Sequence, residues 1–373
     1  MKKIIILGGG VSGLISAVLL ARRNEFEVLL VDKNESFLNV LRLHLTFQEP
    51  LKNFQKSFSD LANKFNFKFL QKEVHITNEN LLKWERESII DQINERFDYL
   101  ILSTGASQVS PESIVSASQD SVVLGLNEFI TEGWKDSIYQ LISAENISFV
   151  GGGASSIQFI FELYSYLEKY KLKPKINFFT MEDRILSSLP NVFHEYIHSK
   201  FKYKNTYFYS HQKIKSITRD SILVESLQAK DSREFPSDIT FLFPGVRPFP
   251  FRLETNEFGQ LIQPSHVFQT IFAAGDCSYF HSSGDNSMSA QIAVRKARTI
   301  SQNIINHSEN QSMKIFNYKE LGYFISMGGL DGIGWMLFPM NVLFGPPAFV
   351  VKELIEKQLE FFVTGLDTYV DFM

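Results

Sequence analysis

Gly8-Gly9-Gly10-Val11-Ser12-Gly13 decides the fold. It lies between an apolar, β-branched run at residues 3–7 and an Ala- and Leu-rich stretch of helical character at residues 11–22. A second apolar run at 27–31 ends in Asp32, which follows Gly8 by 24 residues. Strand, glycine turn, helix, strand and carboxylate in this order form a βαβ unit built to take a dinucleotide. Gly8 permits the tight turn, Gly10 lets the backbone approach a pyrophosphate, and Gly13 lets the helix pack close to its strand. The helix start offers unpaired N–H groups to phosphate, and Asp32 accepts from a ribose diol. Gly8, Gly10, Ser12, Gly13, Asp32 and the adjacent Lys33 are therefore cofactor-binding candidates.

The same grammar returns once. Residues 147–150, Gly151-Gly152-Gly153, a helical stretch at 155–169 and an apolar run at 175–180 predict a second βαβ unit inserted into the chain. Further buried strands are expected at 97–102, running into Ser103-Thr104-Gly105, at 239–243, leading to Gly245, and at 271–274, leading to Gly275-Asp276. Alternating strands and helices predict an α/β protein with parallel sheets covered on both faces. Phe54, Phe58, Leu61 and Phe65 recur at helical spacing, as for a helix packed on the first sheet.

Composition excludes several classes. With 373 residues, 37 basic and 41 acidic side chains and a net charge of −4, the chain has a core-forming balance and no basic face for nucleic acid. A single cysteine, Cys277, closes no disulfide and supplies no thiol redox pair. The 35 phenylalanines are read as core filling rather than cofactor stacking. The first apolar run has four residues before the glycines, short of the ~7–15 of a signal sequence, so export is not expected and a cytoplasmic location is. Residues 333–351 are apolar, but Gly334, Pro339, Asn341, Gly345, Pro346 and Pro347 punctuate them too often for a membrane-spanning helix.

With the first glycine turn, Ser103-Thr104-Gly105, the second glycine loop and Gly275-Asp276, the chain resembles the two-dinucleotide-fold flavoproteins of the pyridine nucleotide-disulfide oxidoreductase family. The resemblance implies FAD at the first site with Asp276 on the ribityl or ribose hydroxyls, and NAD(P)H as substrate at the second. It further implies Arg42, Val74, Thr104, Gly105, Gly245 and Gly275 as flavin-site residues, with Gly151, Gly153 and Gln158 at the nicotinamide site. The implied fold is two Rossmann-like dinucleotide-binding domains: an FAD domain over residues 1–110 and 240–310, split by an NAD(P) domain over 111–239, with a C-terminal segment over 311–373.

Thiol-using members carry reactive cysteines after the first βαβ unit, where this chain reads Phe37-Leu38-Asn39-Val40-Leu41-Arg42-Leu43-His44. Without that nucleophile, what remains is hydride transfer from nicotinamide to flavin and on to an acceptor needing no protein thiol, for which a quinone fits. Phe37 and Leu41-Arg42 resemble the corresponding segment of ferroptosis suppressor and apoptosis-inducing-factor-like quinone reductases. Ser289-Ala290-Gln291-Ile292-Ala293 is similar to the helix start that type II NADH dehydrogenases place beside flavin and quinone. Gln291 is accordingly the first catalytic candidate. Arg295, where those enzymes often have a second Gln, is the other, supplying positive charge beside the reduced flavin.

In the second glycine loop Ser156 replaces the third glycine, and its hydroxyl is expected to be hydrogen-bonded. Gln158 stands where the family commonly has Glu, and Thr180 stands at the position of the usual acidic residue, with Glu182 off register. NADH and NADPH thus both stay open, as does the alternative of a flavin-binding sensor or interaction protein whose nicotinamide site has degenerated.

In the tail, four lysines face seven carboxylates, counting Asp367 and Asp371, so electrostatic attachment to anionic lipid is not supported. Trp335, Phe338, Leu343 and Phe344 suit an apolar peripheral membrane contact, and equally a cover for the flavin domain or a homodimer contact. Val351, Leu354, Ile355, Leu359 and Phe362 read as one face of a helix, whose placement the sequence leaves open. His194-Glu195-Tyr196-Ile197-His198 spells HExxH, but Phe193, Ile197 and Phe201 mark the apolar stripe of that helix, so no metal is expected there.

Overall fold

A computed structural model describes residues 1–109, 116–118 and 120–365; Asp367 and Asp371 of the tail lie outside them. The first sheet has eight strands, in the order Ser278–Phe280, Leu253–Thr255, Gln260–Gln263, His266–Ala273, Tyr99–Leu102, Lys2–Leu7, Phe26–Asp32, Lys68–Gln71. The last five of these run parallel. Helices Val11–Ala21 and Ala290–Ser308 cover one face, sharing an apolar layer of Ile4, Ile6, Leu14, Val18, Phe272, Ala297 and Ile300. The other face buries Ile5, Leu7, Leu81, Trp84, Leu100 and Phe268. Successive side chains of one strand thus enter two cores, which explains why these strands read as continuous apolar runs.

The second sheet is five-stranded and parallel, ordered Val123–Leu124, Ile239–Leu242, Asn146–Val150, Lys175–Phe179, Thr206–Tyr209. Its register places Phe149 opposite both Phe241 and Phe178. The rings stack with centroids 4.5 Å and 6.2 Å apart, and Phe129, Phe159 and Phe243 extend the same core. Much of the phenylalanine excess is thereby spent on packing. Strand Ile239–Leu242 belongs to this second sheet, whereas a flavin unit resuming at residue 240 would have assigned it to the first. The crossing back occurs after it, where Val246–Pro248 pairs antiparallel with Ala106–Gln108. The two connections between the units therefore run side by side as one ribbon.

The residues expected as one helix over 54–65 divide. Leu51–Phe54 is a 3₁₀ turn, and the helix proper is Phe58–Phe65, capped by Ser57, whose Oγ accepts from the Asp60 N–H at 3.3 Å. Beyond the first unit, Gly322–Ser326, Gly332–Met336 and Phe338–Phe344 form an antiparallel sheet, followed by helix Pro346–Val363. The apolar stretch 333–351 is thus two strands and a helix start, and among the described residues no helix is long and apolar enough to cross a membrane.

That last helix buries Leu359 and Phe362 of its apolar face and half-buries Val351 and Ile355, but leaves Leu354 out. Leu354 is 60% exposed, whereas Lys352 and Glu356 are buried and paired at 2.9 Å beside Ala348, Leu359 and Phe362. Trp335 is also buried, in the second unit's core, and is not available to an external surface. Of the other expected contact residues Phe338 and Phe344 are exposed and Leu343 is half-buried, and Leu337, Met340 and Val350 are exposed beside them.

Candidate dinucleotide sites

The first glycine turn is built as its spacing demands. A Cβ on Gly8 would collide with the Ser103 carbonyl, and one on Gly13 with the Gly8 carbonyl, so strand, turn and helix approach as only glycine allows. A Cβ on Gly10, Gly105 or Gly245 would meet nothing within 4 Å. These backbones face open space of the kind a pyrophosphate-bearing cofactor occupies. Asp32 closes the turn from below: its Oδ2 accepts from the Gly9 N–H at 2.6 Å and its Oδ1 from the Asn34 N–H at 2.8 Å.

Distant segments then converge on this turn. Gly275 packs so tightly on Ser12 that any side chain there would strike the Ser12 hydroxyl, which fixes the Gly275-Asp276 corner against the first helix. The same Ser12 Oγ donates to the Ala293 carbonyl at 3.3 Å, tying in the start of helix Ala290–Ser308. Ser289 caps that helix, its Oγ accepting from the Ile292 N–H at 3.3 Å. Gly10, Ser12, Gly275, Asp276 and Gln291 are thus gathered at the carboxyl ends of the parallel strands, the usual place for a ligand in such sheets. Thr104 donates to the Phe249 carbonyl at 2.5 Å, pinning the ribbon to the rim beside Gly105.

Burial pushes the Asp276 carboxyl up to about 6, with Lys296 pulling against it. Lys296 is itself almost wholly buried, donates to the Ser278 carbonyl at 2.7 Å, and is pushed down to about 8 by desolvation. Nothing in the sequence flagged Lys296, which sits among polar residues on the helix. Cys277 is wholly buried, its thiol donating to the Ala274 carbonyl at 3.3 Å and pushed up by burial. It packs and is not a nucleophile.

Gln291 and Arg295 share a partner that sequence reading missed. The Tyr318 hydroxyl donates to Gln291 Oε1 at 3.4 Å, and the Arg295 guanidinium lies 4.6 Å from the Tyr318 ring centroid. Three other assigned residues have their partners outside the glycine turn itself. Arg42 faces the last helix, 3.5 Å from Glu353 and 3.6 Å from Glu360. Lys33 is exposed with its ammonium 6.0 Å from the Phe249 ring centre, and Val74 packs against the core under the far face of the first sheet.

The second glycine turn repeats the first with two changes. Gly151 abuts the Phe243 carbonyl and Gly153 faces open space, as Gly8 and Gly10 do. Ser156 is wholly buried, yet its Oγ has no hydrogen-bond partner among the described residues, contrary to expectation. Thr180 is buried and donates to the Glu182 carboxylate, whose own N–H returns to Thr180 Oγ1 at 3.3 Å. Glu182 is thereby held at the tip of the second strand despite its offset in sequence. Gln158 is half-buried and bonds to Ser326 and His44.

His194 and His198 stack on each other at 5.3 Å, and His194 Nδ1 accepts from the Ile185 N–H at 3.2 Å. Among the described residues no group of three or more His, Cys, Asp or Glu is placed to hold a metal.

Residues 2–297 match the profile of the pyridine nucleotide-disulphide oxidoreductases. The chain belongs to that family. Two similar relatives of this member are named type II NADH:quinone oxidoreductases. One, from Haemophilus influenzae, is 24% identical and aligns with 90% of this chain and 87% of its own length. The other, from Staphylococcus aureus strain NCTC 8325, is 23% identical and aligns with 98% and 96%. Among solved structures, NDH2 of Plasmodium falciparum in complex with NADH superposes with a TM-score of 0.79 at 15% identity, over 100% of this chain and 97% of that one. The sulfide:quinone oxidoreductase of Aquifex aeolicus also gives 0.79, at 16% identity, over 99% and 93%. The fold of these two structures is therefore shared by this chain along nearly its whole length.

Proposed function

We propose that this protein is an FAD-dependent NADH:quinone oxidoreductase that uses no cysteine. One observation carries the reading: the first glycine turn, the Gly275-Asp276 corner and the start of the Gln291 helix are locked together through Ser12. FAD, once bound, supplies the two-electron chemistry, taking a hydride from NADH and passing electrons to the acceptor. Asp276 would hold its hydroxyls, and the Gly10, Gly105 and Gly245 backbones leave room for its phosphates. Gln291, oriented by Tyr318, would hydrogen-bond a quinone carbonyl, with Arg295 placing positive charge where negative charge develops. Glu182 would bond the ribose diol at the second turn, which favours NADH over its 2′-phosphorylated counterpart. The similarity to a sulfide:quinone oxidoreductase does not extend to thiol chemistry, because the lone cysteine is buried.

We place the reaction at the cytoplasmic face of a membrane, where a lipid-soluble quinone resides. Phe338 and Met340, 71% and 94% exposed, are the contact residues, replacing the buried Trp335 in that role. Purified protein should be yellow, NADH should bleach it without oxygen, and a short-chain quinone should restore the colour. Failure to bleach with a nicotinamide of either kind would return the protein to the sensor reading, which rests on Ser156. Cosedimentation with liposomes should be lost when Phe338 and Met340 are both changed to Ser; unchanged cosedimentation removes the membrane contact.

A further inference from the structure

His44 is buried in the 3₁₀ segment Val40–Phe47 and joins three parts of the molecule. Its Nε2 lies 3.2 Å from the Ser326 hydroxyl, on the first strand of the C-terminal sheet, and 3.5 Å from Gln158 Nε2, in the second turn of the helix that follows the second glycine loop. Gln158 Nε2 also donates to Ser326 Oγ at 3.3 Å. The proton arrangement follows from elementary bookkeeping. The Leu41 backbone bonds the ring, and burial, with the positive charges of Lys352 and Arg42, holds the imidazole neutral. A neutral ring that donates from Nδ1 to a carbonyl presents Nε2 as an acceptor. Ser326 then donates to Nε2, and its remaining lone pairs accept from the Gln158 amide. Rotating that amide by half a turn would set its oxygen lone pairs against those of Nε2. The junction therefore orients Gln158 with its NH₂ inward and Oε1 turned away.

We propose that His44, acting through Ser326, is a positioning residue that makes Gln158 an acceptor-only ligand for the carboxamide N–H of a nicotinamide at the second glycine turn. This deepens the proposed function and rests on it. An unrestrained glutamine presents donor or acceptor with little preference; one held this way offers an acceptor oxygen and adds no charge beside the buried Glu162, one helical turn further along.

The test uses the full-length, FAD-loaded protein, with NAD+ binding followed by calorimetry and turnover with NADH and a short-chain quinone. His44→Ala is expected to weaken NAD+ and raise the NADH KM about tenfold, the effect of one lost hydrogen bond of ordinary strength, while kcat and the quinone KM hold. His44→Gln, which returns an acceptor near the Nε2 position, should restore most of the loss. His44→Ala added to Gln158→Leu should weaken NAD+ no further, because the two act as one unit. If His44→Ala does not fold, Ser326→Ala, which removes the hydroxyl and leaves the ring, must give the same selective weakening. Unchanged NAD+ affinity in either foldable variant overturns the proposal, as does an equal loss in the quinone parameters. A wild type that binds no NAD+ removes the proposed function along with it; a wild type that binds, with variants that bind equally well, removes this inference alone.

Discussion

As the proposed FAD ligand, Asp276 would set the demands of stability and of cofactor binding against each other, and pH separates them. In the cofactor-free fold burial lifts its carboxyl to about 6, against roughly 3.9 in an unfolded chain. A raised carboxyl means that the folded state holds the proton more tightly, so folding stability falls as pH rises from about 4 to about 6 and stays reduced above. A shift of about two units corresponds to about 3 kcal/mol. Flavin binding has the reverse dependence. Hydroxyl donors favour the ionised carboxylate, so binding releases a proton below about pH 6, and affinity should rise up to about tenfold per pH unit before levelling off.

Asp276→Asn removes both effects. Urea denaturation of the FAD-free variant near pH 7.5 should show a gain of up to about 3 kcal/mol, lessened by the attraction that buried Lys296 loses, and no gain near pH 4. FAD titrated by flavin fluorescence should bind the variant about 10–100-fold more weakly, as for a lost charge-assisted hydrogen bond, with a flat pH profile. A variant less stable than wild type near pH 7.5 would refute the reasoning. So would a wild-type pH slope that survives the substitution.

Three further outcomes are expected. Ser156→Ala removes a buried hydroxyl without a partner and should raise stability by about 1 kcal/mol, seen as a higher urea midpoint with an unchanged slope; a lower midpoint would mean that the hydroxyl has an unseen partner. Glu182→Ser should cost NADH more affinity than NADPH, moving the ratio of their kcat/KM values toward NADPH; an unmoved ratio would take Glu182 out of the ribose site. Tyr318→Phe loses the hydroxyl that serves Gln291 and Arg295, and Tyr318→Leu also loses the ring face against Arg295, so the quinone KM should rise about fivefold and then further, with NAD+ binding unaltered. Equal effects of the two substitutions would leave the ring contact with Arg295 without a role.

Both nucleotide turns were legible in the sequence because their evidence is local. Gly8 and Gly13 are required by steric contacts within a short stretch of chain, and the strands around them run as apolar blocks because both of their faces are covered. The Gly275-Asp276 corner was legible by resemblance; its seat against Ser12 was not. Arg42 shows the limit in the other direction: its segment was recognised, but its partners are carboxylates on a helix more than three hundred residues away. The last helix was legible as an apolar face but not in its placement, because helical spacing says nothing about which neighbours exist, and here the neighbours buried a Lys352–Glu356 pair while leaving Leu354 exposed.

From sequence alone came the doubly wound class, the inserted second unit, the first glycine turn with Asp32, and the exclusion of paired-thiol chemistry, since each rests on residue type and short-range spacing. Tertiary structure alone decided that Ile239–Leu242 belongs to the second sheet, that Tyr318 bridges Gln291 and Arg295, that Thr180 carries Glu182 into place, and that His44 meets Gln158 and Ser326. Those are contacts between segments far apart in the chain. Side-chain identity limits what each group can bond, but only the packing of the whole chain determines which groups are near enough to do so.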